Sequence, residues 1–302
     1  MTRVLEEPVR LSVFTASTPK WDPAEAARRI AGAGYEGVEW RILDQKPAPP
    51  GEGPGYWAGN RATWSIREAV ETPELLLETA EAAGLEISAF GCYTTHQDLE
   101  TVDALLGAAA RIGVPRMRVN TVPLAQLEDH AYPELLDRSR REIGEVARRA
   151  AHHGVQALVE LHPGTLVASA SAAMRLLEDI DPRHVGVIHD LGNVITEGFE
   201  TLRASVDMLG EHLAHVHVKN SRPTHGPDGW RWEFCPIDQG FGDLTDYLAQ
   251  MRRVGYDGWV TLEDFADTPG PDEKLTRNAR IVRRIWDDVD PASESASSGS
   301  SS

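Results

Sequence analysis

The chain switches repeatedly between two hydrophobic periods. Stretches with apolar residues at helical spacing end at a glycine, and a run rich in β-branched and aromatic residues follows at once. This happens in "GAGYEGVEW" around Gly34, "AAGLEISAF" around Gly84, "RIGVPRMRV" around Gly113, "HHGVQALVE" around Gly154 and "RVGYDGWVT" around Gly255. Glycine just past a helix takes the left-handed conformation that ends it without a Cβ penalty, and a strand then starts within a few residues, as αβ loops do. Five such joints imply a chain of repeating βα units rather than separate helical and strand-only parts.

Helix starts carry their own signals. "WDPAEAARRI" offers Asp22 as N-cap, Pro23 at the first helical position and Glu25 three residues on, the form of a capping box, and "ETPELLLETAEAAG" repeats the logic with Thr72 and Pro73. Filling the gaps predicts strands near 10–15, 36–41, 86–91, 116–120, 156–161, 185–190, 213–219 and 258–263. Helices are predicted near 23–33, 73–83, 97–112, 132–153, 169–179, 197–210, 242–254 and 272–288. A strand followed by a helix eight times over is the α/β pattern of a single (β/α)8 TIM barrel. A doubly wound open sheet is the alternative, and the strand number and even spacing favour closure. The barrel is expected to fill residues 1–290, with 291–302 as a disordered tail, because "DPASESASSGSSS" lacks the apolar content to offset its ordering entropy.

One connection is too long for a barrel loop. Residues 43–70, "LDQKPAPPGEGPGYWAGNRATWSIREAV", are rich in Pro and Gly and carry Trp57, Asn60, Arg61 and Trp64. Following the second strand, this segment leaves from the face where barrels keep their chemistry, and it reads as a substrate-side lid.

Catalytic groups of a barrel sit at the C-terminal ends of its strands, and side chains two apart on a strand share a face. "QALVELH" therefore presents Glu160 and His162 inward together. "HVGVIHDLGN" presents Asp190, which sends His189 towards the helices. "LAHVHVKN" presents His215, His217 and Lys219, with His217 nearer the mouth and the better ligand, and "GWVTLED" presents Glu263. Taken singly each has a bland reading: an inward acid is often a loop anchor, His215 a packing residue, Lys219 a neutralising charge, and Trp40 and Trp259 barrel packing. Together, four strands place an oxygen or nitrogen ligand at one height. Clustered carboxylates repel unless a proton or a cation joins them. Three oxygens and one imidazole nitrogen suit one divalent ion, Mn2+ first, with Mg2+, Co2+ or Zn2+ as the other choices.

Composition narrows the partners. A formal net charge of −17 repels phosphate backbones and argues against nucleic acid. The two cysteines, Cys92 and Cys235, form neither a disulfide framework nor a paired metal motif, which points to a reducing, cytoplasmic setting. "MTRVLEEPVRLSVFT" has no long apolar region, and no stretch approaches the length that spans a bilayer, so neither a signal peptide nor membrane association is expected.

The motifs "VELHPG", "GVIHDLGN", "HVHVKN" and "GYDGWVTLEDF", in this order, resemble the xylose isomerase-like barrel superfamily, and within it the sugar phosphate isomerase/epimerase branch with its inosose dehydratases and ketose 3-epimerases. The similarity covers nearly the whole chain except the tail. It implies one divalent metal held by Glu160, Asp190, His217 and Glu263, and proton transfer by Glu160 and Glu263. His162 and Lys219 are further candidates for acid–base work, and Asn193, Arg231, Asn60 and Arg61 for substrate binding. The same superfamily contains endonuclease IV-type repair enzymes, whose extra zinc ligands this chain lacks. Asn193 stands where they have a histidine, and Asp228-Gly229-Trp230 where they have an Asp-x-His.

The expected activity is a metal-dependent sugar isomerase or epimerase working through an enediolate on a keto-sugar or related polyol. Elimination from an inosose or a 3-keto-glycoside, by a lyase that could require a small partner subunit, is the alternative. A non-catalytic barrel subunit and a DNA-repair endonuclease are the remaining readings. The expected partner is a small carbohydrate substrate, with homo-oligomers common in the family.

Overall fold

A computed structural model of the 302-residue chain describes residues 8–197 and 200–289. The proposed tail, 291–302, lies outside the described residues. The strands, in chain order, are β1 (Arg10–Phe14), β2 (Gly37–Ile42), β3 (Thr63–Trp64), β4 (Glu86–Cys92), β5 (Arg116–Arg118), β6 (Gln156–Glu160), β7 (Val185–Asp190), β8 (Leu213–Val218), β9 (Asn220–Gly226), β10 (Gly229–Cys235) and β11 (Trp259–Leu262). The helices are α1 (Pro23–Gly32), α2 (Ile66–Glu71), α3 (Pro73–Glu81), α4 (Leu99–Arg111), α5 (Tyr132–His153), α6 (Ala170–Leu176), α7 (Leu191–Glu197), α8 (Leu202–Leu209), α9 (Leu244–Arg253) and α10 (Pro271–Asp288).

Parallel pairing runs β1-β11-β8-β7-β6-β5-β4-β2, and β1 also pairs with β2, so the sheet closes. This is the (β/α)8 barrel expected from the sequence. The five joint glycines, Gly34, Gly84, Gly113, Gly154 and Gly255, all have positive φ, between 70° and 88°, a conformation a Cβ disfavours. No helix among the described residues is long and apolar enough to cross a membrane.

Local departures have physical causes. Asp22 caps Glu25 N, but Glu25 turns to Arg29 instead of reaching back. The reciprocal capping box sits at Ser65 and Glu68, inside the long connection. Thr72 makes no side-chain cap, and its hydroxyl bonds to Glu68 O. The helix predicted near 197–210 is α8, and a further helix, α7, precedes it and starts directly at the end of β7, where the sequence reading has none.

The long connection is partly folded. β3 pairs with the end of β2 beyond the reach of β1, and Trp64 is buried edge-on to Trp40 at 5.9 Å. Between β8 and α9 the chain makes an antiparallel hairpin, β9–β10, where the sequence reading has only a connection.

Most buried apolar residues form one core that joins the barrel strands to the helices around them. A separate cluster of Phe14, Ala16 and Phe265, with Tyr56 and Tyr93 packed against it, draws on the segments that follow the β1, β4 and β11 ends. The β7–β8 register shifts at Val187/Ile188, short of the strand ends, after which Asp190 and His217 are partners.

Candidate metal centre and active site

Four strand ends meet at one mouth. Glu160 is the last residue of β6, Asp190 the last of β7, His217 lies one residue from the end of β8, and Glu263 directly follows β11. One ligand atom from each lies within 4.8 Å of the others. His217 Nδ1 is 3.6 Å from Glu160 Oε1, 3.8 Å from Asp190 Oδ2 and 3.9 Å from Glu263 Oε2. It is buried and has no hydrogen-bond partner within normal reach. An orphaned imidazole nitrogen aimed at three carboxylates is the arrangement one divalent cation satisfies, so the donor set fits the implied metal.

Two buried cations, Arg118 and Lys219, lie among these acids. Arg118 donates to Glu160 Oε2 at 2.9 Å and to Cys92 O at 3.0 Å. Lys219 Nζ donates to Asp190 Oδ2 at 2.8 Å and to Glu263 Oε2 at 2.5 Å. Burial alone would push Glu160 up, but Arg118, His217 and Lys219 outweigh it and hold Glu160 well below the usual carboxylate range. Glu263 goes the other way, because burial and the neighbouring Asp190 and Glu160 outweigh Lys219 and His217. Burial disfavours the Lys219 ammonium too, yet Asp190, Glu263 and Glu160 raise its pKa. Gly192 makes room for this lysine, since a Cβ there would lie 2.4 Å from Lys219 Cγ.

The histidines are oriented from across the barrel. Glu39 Oε2, on β2, accepts from His217 Nε2 at 2.9 Å and from His215 Nε2 at 3.0 Å. A carboxylate only accepts, so His217 carries its proton on Nε2 and turns Nδ1 to the acids. Burial opposes the Glu39 charge, and the two histidines lower its pKa against that. Burial likewise opposes a His217 imidazolium, and Glu39, Glu160 and Glu263 outweigh it and raise its pKa well above the usual range.

Aromatic rings cover the cluster. Phe14 stacks on His217 with centroids 5.8 Å apart, and the Arg118 guanidinium lies 4.2 Å from the Tyr93 centroid. Excluding water in this way strengthens the electrostatics beneath.

Other residues singled out in the sequence fall at different distances from this centre. Asn193 reaches it: Nδ2 donates to Glu160 Oε1 at 3.2 Å, and its backbone N–H is capped by Asp190 Oδ1. His162 does not follow Glu160 inward. β6 stops at Glu160, His162 lies in a turn with its N–H on Val167 O, and its exposed ring bonds to Pro163 O at 2.8 Å. Asn60 is buried, and its amide ties the long connection to the end of β1 through Ala16 O and Thr15 O. Arg61 is exposed and reaches Lys20 O and Asp22. Arg231 is exposed on β10, paired with Glu233. His189 faces the helices, bonded to Ser205 of α8 and Tyr247 of α9, and burial brings its pKa down to about 4.

Glu39 and Arg118 are absent from the sequence reading. Both carry a signal, a charge inside an apolar run at "GVEW" and "RMRV", but reading only the late strand ends passes over them.

The fold and this mouth define a barrel whose strand ends gather three carboxylates and a histidine, a group that could hold a metal ion. The xylose isomerase-like TIM barrel family model matches residues 27–285, and the chain belongs to that family. It is 25% identical over 157 residues to a ketose 3-epimerase of Arthrobacter globiformis, covering 51% of this chain and 50% of that protein. It is 26% identical over 180 residues to an inosose dehydratase of Bacillus velezensis, covering 54% and 58%. The chain thus spans about half the length of the curated relatives it matches. The E. coli 3-keto-D-glucoside 4-epimerase structure superposes with a TM-score of 0.70 at 15% identity, covering 91% of this chain and 99% of that one, a likeness of fold.

Proposed function

We propose that the chain is a divalent-metal-dependent sugar isomerase or epimerase acting on a keto-sugar or related polyol. The observation that carries this is the convergence of Glu160, Asp190, Glu263 and the unpartnered His217 Nδ1 within 4.8 Å. These four would hold one cation, with Mn2+ first because the donor set is rich in carboxylate oxygens. Once bound, the metal would polarise a substrate carbonyl and favour loss of the neighbouring proton.

Glu160 and Glu263 come from β6 and β11, and β7 and β8 stand between them. Each carboxylate can therefore move a proton at a carbon that lies between the two. Lys219, an ammonium paired with Asp190 and Glu263, donates to substrate oxygen, and the Asn193 amide orients it. Lys219 also favours a second reading, since a buried ammonium can protonate a departing hydroxyl or alkoxide, which is the dehydratase or lyase outcome. The free cysteines Cys92 and Cys235 suit a cytoplasmic setting.

The test is a screen of ketoses, inososes and 3-keto-glycosides with Mn2+ in D2O, read by NMR. Metal-dependent deuterium uptake beside the carbonyl is the expected result. No exchange in any of the three classes sinks the proposal.

A further inference from the structure

Lys219 is the last inward residue of the β8 run, and the next residue, Asn220, opens the β9–β10 hairpin. The hairpin is pinned to the barrel mouth: Asn220 Nδ2 donates to Ile237 O at 2.8 Å and to Gly242 O at 2.9 Å. On β10, Trp230, Trp232 and Phe234 alternate with Arg231 and Glu233 and share one face. That face is open, with Trp230 74%, Trp232 40% and Phe234 44% exposed. It is also continuous with the metal centre. Phe234 packs on Phe265 at 5.1 Å, Trp57 of the long connection packs on the same ring at 4.8 Å, and Phe265 lies 5.9 Å from Lys219 Nζ. Farther out, Trp232 meets the exposed Phe241 at 5.9 Å.

A run of exposed aromatics of this kind is seldom left without an occupant. Its continuity with Lys219 through Phe265 makes the substrate that occupant. From Trp230 to Phe234 the strand advances ~14 Å at about 3.4 Å per residue, room for a ring system beyond the sugar held at the metal. Tryptophan and phenylalanine faces take flat rings by offset stacking.

We infer that Trp57, Phe234 and Trp232, backed by the buried Phe265, form a substrate subsite for a ring joined to the keto-sugar, so that the substrate is a glycoside rather than a free monosaccharide. The inference rests on the sugar-processing reading above and specifies its substrate class. An aryl aglycone packs on these side chains through its π face and a second sugar ring through its apolar C–H face, and the test separates them.

The full-length, Mn2+-loaded protein is titrated calorimetrically with methyl β-D-glucoside, 4-nitrophenyl β-D-glucoside and cellobiose. The expected result is at least tenfold tighter binding of a ring-bearing probe than of the methyl glycoside. The nitrophenyl probe gaining most marks an aryl site, and cellobiose gaining most marks a second sugar. Trp232→Ala and Phe234→Ala should each erode that preference several-fold without changing methyl glycoside binding, and Trp232→Phe should keep it. Equal binding of all three probes, or a preference that survives the alanine substitutions, overturns the inference. So does a dimer in sedimentation that Trp232→Ala dissociates without altering probe binding, since the patch would then face a second copy. Deuterium exchange in free ketoses, measured on the same variants, is independent of the aromatic patch. Absence of exchange in ketoses, inososes and 3-keto-glycosides alike sinks the sugar-isomerase reading, whereas absence of a ring preference in the wild-type chain, with exchange intact, sinks only this subsite.

Discussion

β8 and the hairpin that follows it are adjacent in sequence and opposite in character. β8 and the residue after it put His215, His217 and Lys219 into a dry interior where each meets a carboxylate. The hairpin puts Trp230, Trp232 and Phe234 into solvent. The first arrangement buries charge, and the second exposes apolar surface. A buried ion is tolerable only when paired, so the β8 residues depend on partners from β2, β6, β7 and β11. The hairpin residues depend on neighbours much less. Substitutions should therefore have large, coupled effects at the mouth and small, separable ones on the hairpin.

The largest expected effect is at Glu160. Glu160→Gln keeps the shape but removes a charge facing Arg118 and His217, and should slow deuterium exchange about 10²–10⁴-fold, the usual range for a proton-transferring group. An exchange rate within a factor of ten of wild type would remove Glu160 from catalysis. Glu39→Gln should be milder, weakening metal binding about 10–100-fold, as loss of a residue that orients a ligating histidine does. Calorimetric Mn2+ titration of the variant checks this, and unchanged affinity would mean that His217 needs no such support.

Metal and pH should sharpen the contrast further. At a Mn2+ concentration of 100 times its Kd the fold should gain about 2.7 kcal/mol, visible as a raised Tm that a chelator reverses. In the metal-free protein the pKa of His217 is raised. Its stabilisation is thus fully present below the ordinary imidazole value of about 6.5 and lost as pH rises through the raised value. The Tm of metal-free protein should fall over that window, and His217→Asn should flatten this component. Metal must displace the same proton, so Mn2+ affinity should rise with pH. The smallest effect belongs to the hairpin: Trp230→Ala, at the most exposed position, should change stability by no more than about 0.5 kcal/mol, as measured by urea unfolding.

Much of the fold was legible because it is written locally. Helix-ending glycines depend on one residue's φ, and strand parity depends on a two-residue repeat, so the joints and the inward acids could be read without knowing the neighbours. Parity failed at His162, because it holds only while the strand lasts and β6 ends at Glu160. Asn60 looked like a substrate donor in a polar loop, yet its amide serves the backbone of Thr15 and Ala16. The hairpin is not legible in the sequence, because its aromatic face reads equally well as part of a long loop until cross-strand pairing fixes it.

The sequence by itself determined the repeating βα order, the places where helices stop, and which strand ends carry an acid or an imidazole. Only the tertiary structure decided that Glu39, 178 residues from His217 in the chain, sets the tautomer of that histidine, and that Arg118 neutralises Glu160. It also brought Trp57 and Phe234 together on Phe265. The physical reason is the same in each case. Periodicity and capping act over a few residues of backbone, whereas pairing a buried charge or covering a ring needs partners that only the assembled barrel brings within reach.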